Sequence, residues 1–241
     1  MKHTTPHIVT AYEEAIRKLR SSVVEMAGAA ETQLDGALSC LTHRDPELAG
    51  EVIRGDHRLD REEQGIEAHA MRLLVLRQPV ADDLREVMAA LKIAHNLERV
   101  GDYAANIAKR SAALVSLPDL GVGELGVAAA LPELGRMVRE RLSAVVDAYV
   151  EADAEAALDV WRRDAEVDAL YTSLCGDIVR AAGENADLFA THMHLLFMAK
   201  NLERIGDHAT NIAEVVHFLA TGRPLAEERP KADRTSETAT I

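Results

Sequence analysis

Apolar residues recur along most of this chain every three or four positions, the period of a helix buried on one side. Ile16, Leu19, Val23, Met26, Ala30, Leu34, Ala37 and Leu41 predict a first helix over about residues 10–42. Asp45-Pro46 then supplies an N-cap and a proline at the first helical position. Leu48, Val52, Leu59, Ile66 and Leu73 carry a second helix to about Arg77, ahead of Pro79. A third runs from Pro79 or Val80 to about Ser116. Residues 117–128, with three Gly and one Pro, are the strongest break in the pattern. Beyond them a fourth helix is expected over about 131–150, a fifth over 153–182, a turn at Gly183-Glu184-Asn185 and a sixth to Ala220. The fold class is therefore all-α, two pseudo-symmetric antiparallel three-helix bundles over residues 1–117 and 118–221, elongated because each helix is long. The tail, 222–241, lacks apolar periodicity and is expected to be disordered.

The two halves are related in sequence. Residues 91–108 and 196–213 agree at 12 of 18 positions, including Asn96-Leu97-Glu98-Arg99 with Asn201-Leu202-Glu203-Arg204 and Gly101-Asp102 with Gly206-Asp207. Glu98/Asp102 and Glu203/Asp207 stand four apart, one helical turn, where like charges repel by about 0.2–0.5 kcal/mol per pair. The preceding helices carry Asp56/Asp60 and Asp164/Asp168, offset by 108. Counting from Gln78, Asp60 lies 18 residues back and Glu98 20 forward, Asp56 22 back and Asp102 24 forward, so the four share one level. Counting from Glu184 puts the second four at one level too.

Helix phase sets these acids apart from the core. Ile93, Leu97, Val100, Ala104 and Ile107 form the stripe of the third helix, repeated as Met198, Leu202, Ile205, Ala209 and Ile212 in the sixth. Glu98, Asp102 and Asn106 fall roughly opposite that stripe, while Asp56 and Asp60 lie on the flank of theirs. Each half is thus expected to offer a shallow acidic surface site. Oxygen donors without Cys or a convergent His suit hard cations, Mg²⁺, Mn²⁺, Ca²⁺ or ferric iron, and disfavour structural zinc. The alternative is solvated surface charge, which is also the favoured reading of Glu31 and Asp35. Arg99 and Arg204 read as neutralising partners of the acids, Asn106 and Asn211 as an extension of the acid face or plain surface polarity. His95, His192, His194 and His208 show no ligand spacing. Gly101 and Gly206, costly inside a helix, suggest close approach of a neighbour.

Leu84 and Leu91, with their counterparts Phe189 and Leu196, give these helices a second apolar face, expected to pack between the bundles or to dock a partner.

Charge narrows the function classes. With 27 Lys+Arg against 40 Asp+Glu the formal charge is −13, which repels nucleic acid. Cys40 and Cys175, far apart and outside any zinc-site spacing, read as reduced thiols. No apolar run reaches the roughly 18–20 residues that span a bilayer, so a soluble, cytoplasmic protein is expected. There is no Walker A, GxSxG or kinase signature, which argues against an enzyme.

At the doubled phrase Asn-Leu-Glu-Arg-x-Gly-Asp-x-x-x-Asn-Ile-Ala the chain resembles the PhoU family of phosphate-specific transport system accessory proteins, from His7 to about Pro224. The resemblance implies two three-helix bundles whose E(D)xxxD motifs carry surface metal clusters in some members. Asp56, Asp60, Glu98, Asp102, Asp164, Asp168, Glu203 and Asp207 map to those motifs, with Fe, Mn or Mg as the expected ion. It also implies negative control of phosphate uptake and of the phosphate-starvation response through the transporter ATPase PstB and the sensor histidine kinase PhoR, contact with the membrane through these partners alone, and a homodimer. Two rivals are a carboxylate-bridged di-metal oxidase or ferritin-like protein and a metal-free helical scaffold. The first wants two Glu-x-x-His elements facing a four-helix core; this chain has one, Glu214 to His217.

Overall fold

The computed structural model describes residues 5–118, 125–227, 229 and 232–235. They form seven helices: α1 (Thr5–His43), α2 (Pro46–Arg77), α3 (Asp82–Leu114), α4 (Leu125–Glu151), α5 (Ala154–Arg162), α6 (Asp164–Glu184) and α7 (Phe189–Thr221), with one 3₁₀ turn at Ala186–Leu188. No strand occurs among the described residues. Part of the expected break, 119–124, lies outside them.

Local chemistry fixes the element ends. Asp45 Oδ1 accepts from the Glu47 and Leu48 amides, and Asp153 caps α5 in the same way through Glu155 and Ala156. Gln78, in the left-handed region at φ 48°, closes α2. Arg20 donates to the carbonyls of Tyr149 and Val150 at 2.8 Å each, tying α1 to the C-terminal end of α4, where the helix dipole favours a cation.

Two expectations change. The fifth helix divides at Arg163, whose ψ of 0° interrupts the α-helical bonding, with the Glu166 amide reaching back to the Arg163 carbonyl. No Gly or Pro marks the spot. The side chains on either side of the division, Trp161 and Asp164, are both 2% exposed. The fourth helix begins earlier than expected and takes Pro132 into its body.

All ten stripe residues named for α3 and α7 are at most 2% exposed. Their cores do not close separately: one apolar cluster runs through both halves, because α3 packs along α7 and α1 packs against α4. The α3–α7 seam is antiparallel. Arg110 lies over the Phe197 ring at 4.2 Å, Arg204 donates to the Tyr103 hydroxyl at 3.3 Å, and Asn96 meets Asn211 at 3.3 Å, numbers falling on one helix as they rise on the other. With the repeat offset, this register centres a pseudo-dyad on Gly101 and Gly206. Leu91 and Leu196 are partly buried against the joint core as expected, whereas Leu84 and Phe189 stay 39% and 55% exposed.

Candidate functional site

In the first half, α2 and α3 present Asp56, Asp60, Glu98 and Asp102 as half-buried side chains on one surface. Arg99 spans the α3 pair, 3.2 Å from Glu98 Oε2 and 2.9 Å from Asp102 Oδ2, which is the neutralising role its position suggests. The Glu98 contact is an ion pair without hydrogen-bond geometry, and Glu98 Oε2 is buried with no hydrogen-bond partner. Burial, reinforced by the charges of Asp102, Glu63 and Asp60 against the opposing pull of Arg99, pushes the Glu98 carboxyl up to about 7. Burial and the charges of Asp102 and Asp60 likewise raise Asp56. Negative charge is thus concentrated on a poorly solvated surface, the condition under which an added cation gains most.

Among the described residues, spacing arguments passed over one close donor group. Glu63, His95 and Glu98 each place a ligand atom within 4.8 Å of the others, and His95 Nδ1 lies 3.1 Å from Glu63 Oε1. His95 was expected to have no ligand spacing. The same count from the hairpin would have found it, since Glu63 lies 15 residues before Gln78 and His95 17 after. The four carboxylates named from the sequence share the surface without converging to that degree.

The second set is not the shallow surface site expected: Asp164, Asp168 and Glu203 are 2%, 4% and 5% exposed. Residues 229 and 232–235 of the tail cover them; 228, 230–231 and 236–241 of the segment expected to be disordered lie outside the described residues. Arg229 donates to Asp164 Oδ2 at 2.9 Å and also to Asp207, and the amides of Ala232 and Asp233 donate to Asp168 Oδ2 at 2.9 and 3.2 Å. Thr210 donates to the other Asp164 oxygen at 2.9 Å. Lys200 lies 2.8 Å from Glu203 and 3.6 Å from Asp233. Burial works against the Arg229 charge, but its bonds to Asp164 and Asp207 raise the guanidinium above its ordinary value.

Other polar residues take structural parts. Glu31 and Asp35 pair with Arg139 across the α1–α4 contact at 3.4 and 2.7 Å. Arg204 turns to Tyr103 instead of to the acids, and Asn211 to Asn96. Glu214 accepts from the Trp161 indole at 3.1 Å, so the Glu214–His217 spacing builds no inward-facing metal pair of the ferritin-like kind. Cys40 and Cys175 are buried free thiols.

The first set therefore fits a hard cation, by oxygen donors gathered on one half-buried surface and by carboxyls that burial first, and their mutual repulsion after it, raise. The second set, with its charges already matched from within the chain, does not fit one as it stands.

The architecture is that of a duplicated helical-bundle protein whose halves each present carboxylates from adjacent helices. The PhoU domain profile matches the chain twice, over residues 23–111 and 131–216. The chain is 42% identical over 233 residues to the phosphate-specific transport system accessory protein PhoU homolog of Caulobacter vibrioides, covering 97% of this chain and 100% of that one. To the homolog of Zymomonas mobilis it is 44% identical over 92% of this chain and 91% of that one. The crystal structure of PhoU from Pseudomonas aeruginosa superposes with a TM-score of 0.81 at 31% identity, covering 88% of this chain and all of that one. The chain belongs to the PhoU family. No described helix is long and apolar enough to cross a membrane.

Proposed function

We propose that this protein is a cytoplasmic, non-enzymatic regulator of phosphate homeostasis that restrains phosphate uptake and the phosphate-starvation response when phosphate is plentiful. It acts through the transporter ATPase PstB and the sensor kinase PhoR, with the first acidic face as its cation-dependent surface. Near-complete coverage of relatives named as phosphate-specific transport system accessory proteins is the observation that carries the regulatory reading.

The structure adds a physical basis for the surface. Asp56, Asp60, Glu63, Glu98 and Asp102, with His95, would hold the ion, Mn²⁺, Mg²⁺ or iron. When bound, the ion would supply positive charge that favours the ionised form of these carboxylates. The helices α2 and α3 fix the relative height of these groups, and Arg99 keeps part of the charge matched in its absence. A homodimer belongs to the same proposal.

A strain lacking the protein should express a phosphate-starvation reporter at high phosphate, and tagged protein should retain PstB and PhoR. Light scattering of the purified protein checks the dimer. A reporter that stays repressed in the deletion strain would refute the regulatory reading.

A further inference from the structure

Duplication carries the four acids of the first half onto those of the second, but it does not carry their surroundings. His95 corresponds to Lys200 and Glu63 to Tyr171. Where the first set has an imidazole and a fifth carboxylate, the second has an ammonium 2.8 Å from Glu203 and 5.0 Å from the centre of the Tyr171 ring. Position for position, the second set has exchanged a ligand for a cation.

The remaining charge is met from the far end of the chain. Arg229 stands between Asp164 and Asp207, one carboxylate from each helix of the hairpin, in the position a bridging cation would take. Three residues further on, two consecutive amides converge on one oxygen of Asp168, and the Arg234 amide donates to Thr172 Oγ1 at 3.3 Å. Arg229 is itself largely covered, its side chain 16% exposed against 3% for Asp164. These contacts reach 62 to 65 residues back along the chain to α6, and they engage every acid of the set when Lys200 is counted. Carboxylates so deeply removed from water require a countercharge, and the guanidinium, a rigid fork of donors, matches two of them at once.

We propose that residues 229 and 232–235 act as an intramolecular strap in which Arg229 serves as the resident cation of the second carboxylate set, and which must leave before that set accepts a metal ion. This rests on the reading of the acid faces as cation sites. It makes the halves unequal: the first set loads directly, while the second loads only as the strap is displaced. Displacement in turn uncovers Asp164 and Asp168 and frees Asp207 of its guanidinium, presenting an acidic surface that the strapped protein neutralises.

The test is hydrogen exchange at the Ala232 and Asp233 amides of the full chain during a Mn²⁺ titration, alongside Mn²⁺ uptake, for the wild type and Arg229→Gln. Arg229 lies beyond α7, so the variant should keep its helical circular dichroism. The wild type should show protected amides without metal, filling of a first class of sites, and loss of protection only at Mn²⁺ at least tenfold higher. In Arg229→Gln protection should be weak from the start, and the second class should fill at least tenfold more readily. Unprotected amides in the metal-free wild type, or an unchanged second class in the variant, would overturn the strap while leaving the first-set reading intact. Absence of Mn²⁺ uptake by both proteins would overturn the cation reading itself and the competition with it.

Discussion

His208 Nδ1 lies 2.8 Å from Asn96 Oδ1, joining α7 to α3 at the seam between the bundles. The same oxygen accepts from Asn211, so His208 serves as a donor at a junction of both repeats. Burial, opposed by the pull of Asp207 and aided by the charges of His95, Arg99 and Arg204, lowers its imidazole to about 4.

This sets a pH dependence. The unfolded imidazole titrates near 6.5. Above that value both states are neutral and nothing is lost; as pH falls from about 6.5 to 4, the unfolded chain takes a proton that the folded one refuses, and stability declines. The group keeps some contact with solvent, so about 1–2 kcal/mol is expected rather than the full linkage value. Glu98, raised in the folded state, acts in the opposite sense, gaining stability as pH falls, but equally in wild type and His208→Gln. Melting temperatures of the two at pH 7.5 and 4.5 should therefore show the larger drop in the wild type. Equal drops would contradict the assignment.

Gly101 and Gly206 occupy matching places in the repeat, yet they should respond oppositely to alanine. A methyl at Gly101 would drive into the Cδ1 of Leu59, a side chain only 1% exposed. Overpacking of about 1–3 kcal/mol then outweighs the gain of about 1 kcal/mol in helix propensity. At Gly206 the methyl would sit 3.4 Å from Val167 Cγ1, an ordinary contact. Gly206→Ala should stabilise by up to about 1 kcal/mol. Chemical denaturation of both variants checks the signs, and destabilisation by both would show that the two crossings are equally tight.

Ile93, Leu97, Val100, Ala104 and Ile107 were legible as core because a helix converts spacing directly into facing, and the acids were legible as a level because a hairpin converts distance from its turn into height. The joint core was less so. Leu91 and Leu196 signalled it, but equal spacing also flagged Leu84 and Phe189, which remain exposed. The division at Arg163 leaves no Gly or Pro in the sequence to announce it. Arg229 was illegible for a different reason: its partners, Asp164 and Asp207, lie on two other elements, and a polar tail without periodicity carries no record of where it lands.

His95 distinguishes the first set by its chemistry. Imidazole suits iron, nickel, copper and zinc, whereas carboxylates alone suit Mg²⁺, Ca²⁺ and Mn²⁺. His95→Gln should therefore shift selectivity toward Mg²⁺ by lowering affinity for Fe²⁺ more than for Mg²⁺, by about tenfold in the ratio. Competitive titrations would show it. An unchanged ratio would place His95 outside the coordination shell.

The proposed regulatory role makes the first acidic face the working surface of the protein. Asp56→Asn with Glu98→Gln removes two crowded charges while keeping size, so the helices should persist and repulsion should ease. The decisive measurement is a phosphate-starvation reporter at high phosphate in cells carrying this double variant at wild-type abundance. Expression approaching that of the deletion strain is the predicted result; repression equal to the wild type would contradict it.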